Sequence, residues 1–243
     1  MLPNDCATTS NNEASQLVSA PFRIACEPPL LLASFDEPQQ MLSWSVTRPG
    51  RVTSCHVAWL EVSNKDLSPE IDAVQYVRSR MAQAGLDDAI TLMTSRDIRR
   101  HHLSQAIADD VTATCLATVG LSNSERVGQR LSEPVRLPST INTLVHVSSP
   151  LNEAAFLETM SIVTQARTAA VIDSGVRRGG VAVTGTGTDC VVIAAPNRAD
   201  AAQFAGLHTA IGETVGTATY RAVAAGIETW KVDFAMIQGA TAQ

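Results

Sequence analysis

Residues Gly179 to Tyr220 read GGVAVTGTGTDCVVIAAPNRADAAQFAGLHTAIGETVGTATY, and the reading of the whole chain turns on them. Val181–Val183 and Val191–Ala194 are β-type apolar runs that predict strands. Between them Gly185 and Gly187 permit unusual backbone angles or close approach of a ligand, while Thr184, Thr186, Thr188 and Asp189 crowd hydroxyls and one carboxylate onto a single turn. A phosphate-binding loop would hand over to a helix N-terminus, whereas this one continues into the strand CVVIAA, so dinucleotide and P-loop readings fail on context. A plain hairpin turn explains the glycines and threonines. It does not explain Asp189, an acid at the lip of an apolar strand.

Downstream, Ile211, Val215, Ala218, Ala222, Val223, Ile227 and Trp230 recur at helical spacing and predict a long amphipathic helix. Thr209 suits its N-cap, which leaves His208 just outside the helix and Glu213 one turn in, near the positive end of the dipole. Gly212 and Gly216 share one face. Glycine inside a helix costs about 1 kcal/mol relative to alanine, so a strand or a bulky ligand is expected to approach there.

Working back to the start, residues up to about Ala20 are polar and Asn/Ser/Thr-rich, which predicts a mobile segment 1–20 followed by one domain over 21–243. LLLASF (Leu30–Phe35) and MLSWSV (Met41–Val46), separated by Asp36-Glu37-Pro38, read as paired strands. SCHVAWLEV (Ser54–Val62) is a further strand, with His56 as a core residue or a pocket wall. Ser68-Pro69-Glu70 reads as a helix start, Gly85 as that helix's end, and AITLMTS (Ala89–Ser95) as a strand finishing in Thr94 and Ser95 with Asp97 beyond. VTATCLATVGL (Val111–Leu121) is a long β run leading to a polar loop at Ser122-Asn123-Ser124. INTLVHV (Ile141–Val147) is a strand, and Ser149-Pro150 begins a helix through Phe156, Met160, Val163 and Ala170 to Gly175. The recurrence reads either as two degenerate strand–helix–strand halves, whose hydroxyl- and acid-bearing ends meet at a cleft, or as coincidence of common elements. The expected class is α+β: seven or more strands in one or two sheets, with about three helices on the outer faces.

The 243 residues are 45% hydrophobic, enough for a substantial core. A net charge of −6 argues against nucleic acid or an anionic membrane as the main partner. No apolar run approaches a membrane span and the N-terminus has no signal-peptide pattern, so a cytoplasmic protein is expected. Five cysteines (Cys6, Cys26, Cys55, Cys115, Cys190) without CxxC spacing suit reduced thiols; Cys190 reads as a small buried strand residue rather than a nucleophile. His101 and His102 diverge on any regular element, and with no HExxH or Cys/His ligand spacing neither a protein-bound metal nor a cofactor is expected. Nothing in the sequence decides against a homo-oligomer.

TGTGTD followed by an apolar strand, AGxHTxxGE opening a helix, ITLMTS (Ile90–Ser95), ATVGLSN (Ala117–Asn123), STINTLVHV (Ser139–Val147) and TQARTAA (Thr164–Ala170) stand in one order. In that combination, over about Leu42 to Ile227, the chain resembles the adenosylcobinamide amidohydrolases of corrinoid salvage. The resemblance implies hydrolysis of a secondary amide on the corrin periphery, giving adenosylcobyric acid and aminopropanol from a corrinoid small molecule. It makes Asp189 and His208 the candidate base and acid, Thr188 and Thr186 candidate donors or a nucleophile, and Asn142 a candidate amide clamp. Gly185, Gly187, Glu213 and Asn123 complete the candidate substrate-binding set. Each has a plainer reading: Asp189 as a turn cap, His208 on a backbone carbonyl, Asn142 at a strand entry, Glu213 serving the helix dipole. The chain departs from the family at Gln165, where glutamate is usual, and at the glycine-poor Arg48–Arg51. A corrinoid-binding or chaperoning protein is therefore the alternative. A third reading, self-processing to expose a threonine nucleophile such as Thr118 or Thr140, needs a chain cleavage that no signal demands.

Overall fold

The computed structural model describes residues 19–63, 66, 71–129 and 139–241. Cys6, most of the segment expected to be mobile, and the helix start expected at Ser68-Pro69-Glu70 lie outside them. In chain order the elements are β1 (Arg23–Glu27), β2 (Leu30–Ser43), β3 (Gly50–Glu61), α1 (Ala73–Gln83), β4 (Ile90–Thr94), a 3-10 turn (Ile98–Arg100), β5 (His101–Ala108), β6 (Val111–Val119), β7 (Ser124–Glu125), β8 (Ile141–Val147), α2 (Glu153–Asp173), β9 (Arg177–Arg178), β10 (Val181–Ala182), β11 (Gly185–Thr186), β12 (Cys190–Pro196) and α3 (Ala210–Thr241). Among the described residues this is the expected α+β class: an eight-stranded mixed sheet with three helices.

The sheet runs β4-β3-β2-β12-β8-β6-β5, with β1 added to β2. Its parallel pairs are β3 with β4 and β12 with β8, so α1 and α2 are the crossovers of two strand–helix–strand units. The second unit closes through β12, not through Val181–Val183. Those residues contribute only the short β10, paired with β9 across Gly179 and Gly180, both at positive φ. The two units are joined through β2, and here the expectation fails. LLLASF and MLSWSV do not form a hairpin; Leu30–Ser43 is one strand of 14 residues. Its pairing to β3 shifts between Ser34 and Gln39, and Asp36, Glu37 and Pro38 stand exposed at that irregularity. A bulge accommodates the polar insert and bends the strand without reversing it.

The two ends of the sheet face each other. Leu116, Leu144, Val192 and Ala194 from one end pack with Leu31, Ala33, Phe35, Trp59, Ile90 and Leu92 from the other. Each such buried side chain contributes about 1.5–3 kcal/mol of burial free energy. On the outer face of one half, alternate residues of β6, β8 and β12 (Cys115, Ala117, Val145, Ile193) pack against Phe156 and Val163 of α2 and Val215, Val223 and Ile227 of α3. On the other half, Ala58 and Leu60 of β3 pack against Val77 and Met81 of α1.

Caps fix the helix starts. Asp72 accepts from Val74 and Gln75 N–H and starts α1, and Asn152 accepts from Ala155 N–H and starts α2, three residues after the expected Ser149-Pro150. Thr209 caps α3 as expected, accepting from Gly212 N–H at 3.0 Å. The close neighbour of Gly212 is the backbone carbonyl of Gly206, neither a strand nor a ligand, and at Gly216 an added Cβ would make only ordinary contact, 3.7 Å from Ile162. The glycine that lets α3 approach a strand is Gly226, where a Cβ would fall 2.5 Å from a methyl of Val119 in β6. No helix among the described residues is long and apolar enough to cross a membrane.

Candidate active site

The Gly185–Asp189 segment begins with β11, whose Gly185 and Thr186 pair with Glu125 and Ser124 of β7, and leads directly into β12. Thr184 extends this joint: its N–H donates to Glu125 O at 2.8 Å and its Oγ1 accepts from Val127 N–H at 2.8 Å. The loop is therefore a strut between β7 and β12 rather than the tip of a hairpin.

Asp189 is the centre of that strut. Its Oδ1 accepts from Ile141 N–H at 3.0 Å and from the Thr186 hydroxyl; its Oδ2 accepts from Thr186 N–H at 2.9 Å and faces Arg167 Nη1 at 3.2 Å. The Asp189 side chain is 6% exposed and that of Arg167 11%. A carboxylate offers about four lone-pair positions, and these contacts occupy them. Gly185 completes the packing, since a Cβ there would stand 2.5 Å from Asp189 Oδ2. The carboxylate of this candidate base is thus fully engaged, and its contacts tie β8, α2 and the loop together.

Two clefts lie back to back on this wall, and Gly187 and Asp189 line both. The first, about 420 Å³, is bounded by Trp44, the β4 end (Thr91–Ser95), Ser139, Thr140, Asn142, Thr188 and Cys190. The ends of both strand–helix–strand units reach it, but Asp97 does not: it caps the 3-10 turn and pairs with Arg99. Asn142 spans the fold, its Nδ2 donating to Met93 O at 2.6 Å and its Oδ1 accepting from Thr140 Oγ1 at 3.3 Å. The same Thr140 hydroxyl proton is shared with Thr188 O, the nearer acceptor at 2.8 Å, and Thr188 Oγ1 donates to Ser139 O at 3.2 Å. Burial pushes the Cys190 thiol up to about 12, which removes it as a nucleophile near neutral pH. On the rim Trp44 is 44% exposed, held by a 2.8 Å hydrogen bond from Nε1 to Asp189 O.

The second cleft, about 540 Å³, is more polar in its lining: Glu125 to Gln129, Thr164, Arg167, Thr168 and Thr184 to Gly187, with Asp189. Glu125 is half-buried, and its carboxylate has neither a hydrogen bond nor an ion pair with the described residues. Arg167 Nε is buried without a partner among the described residues.

Of the residues expected at the site, Asp189, Gly185, Gly187, Thr186, Thr188 and Asn142 converge on these two clefts. His208, Glu213 and Asn123 line neither: His208 and Glu213 are exposed at the start of α3, and Asn123 is buried at the turn before β7. Trp44, Glu125 and Arg167 were not anticipated. Arg167 carried a signal, as the one basic residue of the 21-residue α2, set in an otherwise uncharged run. Thr118, expected under the self-processing reading, is fully buried within β6, whereas Thr140 lines the first cleft.

An adenosylcobinamide amidohydrolase of Halobacterium salinarum is 27% identical over 163 residues, covering 63% of this chain and 66% of that protein, just under two thirds of its length. A Burkholderia sp. beta-aminopeptidase superposes with a TM-score of 0.44 at 11% identity, covering 84% of this chain and 79% of the other. The PH0078 protein from Pyrococcus horikoshii OT3 gives 0.40 at 9% identity, covering 81% and 76%. The family model described as adenosylcobinamide amidohydrolase matches residues 16–233. With nearly the whole chain matched, this protein belongs to the adenosylcobinamide amidohydrolase family.

Proposed function

We propose that the protein hydrolyses the aminopropanol amide of adenosylcobinamide, giving adenosylcobyric acid and aminopropanol in cytoplasmic corrinoid salvage. The observation that carries this is the two-sided wall at Gly187 and Asp189 within a family-matched chain. On one side are Trp44 and a cleft of hydroxyls and one carboxamide; on the other are Glu125 and Arg167. A large flat macrocycle with a polar arm suits such a pair. The ring rests on the rim at Trp44, where the indole is fixed and exposed. Its peripheral amides meet Asn142, one of whose Nδ2 protons has no partner among the described residues, and Thr188. The arm crosses Gly187, which has no side chain to obstruct it, into the second cleft.

There the chemistry needs a proton acceptor for water, a donor for the oxyanion and a proton for the leaving amine. Glu125 takes the proton as water attacks the carbonyl carbon. The C–N bond then breaks, the amine leaves with that proton, and the new acid ionises. Asp189 positions the wall and does not itself accept the proton, because its oxygens are already engaged.

The alternative is corrinoid binding without turnover, motivated by Gln165 where the family usually has glutamate. Gln165 is exposed, donates to Ser161 Oγ at 3.1 Å and lines neither cleft at the wall, which favours turnover. Incubation with adenosylcobinamide followed by assay of free aminopropanol and mass spectrometry of the corrinoid decides. Release of aminopropanol supports hydrolysis; tight binding with unchanged substrate gives the alternative.

A further inference from the structure

We infer that Arg167 is a substrate-binding residue of the second cleft, its guanidinium receiving the carbonyl oxygen of the scissile amide and then the carboxylate of the acid product. The inference rests on the hydrolytic reading above and adds a residue and a step to it.

A guanidinium carries five N–H donors in a rigid fork. Arg167 spends one nitrogen, Nη1, on Asp189, while Nε is buried with no partner among the described residues. Buried donors are normally paired, so a guanidinium that lines a cleft with a donor unmatched among the described residues marks a place for an acceptor from outside the chain. The described residues do not supply one. Thr164, which also lines the cleft, turns its hydroxyl back to Met160 O at 2.9 Å, and Glu125 does not come within ion-pairing distance of Arg167. Arg126 is committed to Ala182 O at 3.0 Å.

The Asp189 contact then acquires a purpose. It locks the orientation of the guanidinium, because Asp189 is itself held by two backbone N–H groups and a hydroxyl. A fixed donor set costs no reorganisation when charge develops on the carbonyl oxygen. The pair is close to neutral overall, which lets an uncharged amide enter. Hydrolysis converts that amide into an anion, so the product carboxylate gains more from Arg167 than the substrate does. Lysine would keep the charge and the Asp189 contact but lose the fork.

The test compares wild type with Arg167→Lys in the full-length chain. Equilibrium binding of adenosylcobyric acid is expected to weaken at least tenfold in R167K, with adenosylcobinamide binding changed less than threefold. Single-turnover release of aminopropanol is expected to fall about 10²-fold, the size of losing one oxyanion donor. Equal loss of affinity for acid and amide, or unchanged turnover, overturns the inference and leaves the hydrolytic reading standing. A wild type that releases no aminopropanol overturns the hydrolytic reading, and the acid-against-amide comparison still decides Arg167. If R167K lowers the melting temperature substantially, Arg167→Met with added guanidinium ion replaces it: recovery of acid binding by the ion supports the role, and its absence overturns it.

Discussion

Arg167 Nη1 lies 3.2 Å from Asp189 Oδ2 with both side chains buried, and this pair joins α2 to the wall between the two clefts. Two further donors to that carboxylate are backbone N–H groups, of Ile141 and Thr186. Asp189→Asn puts an NH2 group against one of them. The substitution is therefore expected to lower stability by about 1–3 kcal/mol as well as to abolish turnover. Thermal melts alongside single-turnover assays check this. Lost turnover at an unchanged melting temperature would return Asp189 to the role of a base.

The two glycines of the loop separate folding from binding. Gly185→Ala drives a methyl to 2.5 Å from Asp189 Oδ2 and is expected to cost about 1–3 kcal/mol, since the carboxylate cannot retreat from its four contacts. At Gly187 an added Cβ meets nothing within 4 Å, so Gly187→Ala folds normally. Because Gly187 lines both clefts, that same variant is expected to bind adenosylcobinamide several-fold more weakly. Denaturation midpoints and substrate titrations of the two variants give opposite patterns if the wall works as described.

How far the sequence was legible follows the range of the interactions involved. The apolar runs of β6, β8 and β12 are dictated by local pattern, and all three appear where expected. The continuity of β2 was not readable, because Asp36-Glu37-Pro38 carries every local mark of a turn; only pairing with β3 and β12 on its flanks shows that the insert is bulged outward. Asp189 stood out as an acid beside an apolar strand. That its oxygens are saturated depends on Ile141 and Arg167, which the fold supplies from other elements. His208 and Glu213 were drawn in by the motif AGxHTxxGE, and the fold leaves both exposed, His208 just before α3 and Glu213 in its first turn.

Glu125 is the carboxylate of the second cleft without a partner among the described residues. Glu125→Gln preserves its size and leaves the β7–β11 pairing, which is made through backbone, untouched. Turnover is expected to fall about 10²–10⁴-fold with little change in melting temperature or in affinity for adenosylcobinamide. Retention of wild-type turnover would remove Glu125 from the mechanism.

Trp44 offers the exposed indole of the first cleft, whereas Trp59 is fully buried and Trp230 is largely so. Corrinoid addition should therefore quench the fluorescence of Trp44 first. Trp44→Phe keeps an aromatic face but loses the hydrogen bond to Asp189 O, and Trp44→Ala loses both. Affinity for adenosylcobinamide is expected to fall in the order wild type, Phe, Ala, by roughly tenfold at the last step if an aromatic contact of about 1 kcal/mol and its buried area are lost. Equal affinities for all three would place the corrin elsewhere.

The last prediction concerns acid stability and is independent of catalysis. His146, on β8, packs at 5.5 Å against the Phe35 ring inside the core between the two ends of the sheet. Burial lowers its pKa from 6.5 to about 4. In the unfolded chain the imidazole takes up a proton as pH drops through about 6.5, while the folded protein resists until about 4. The unfolded state therefore binds more protons in that window, and stability falls with falling pH. It is fully present above 6.5, is lost progressively down to about 4, and changes no further from this residue below that. The shift corresponds to roughly 3 kcal/mol across the window. His146→Phe removes the titration and keeps an aromatic partner for Phe35. Urea denaturation at pH 7.5 and pH 4.5 should show the wild type losing more stability than the variant by most of that amount. Equal losses would mean that His146 is already charged in the folded core or that other groups govern the acid transition.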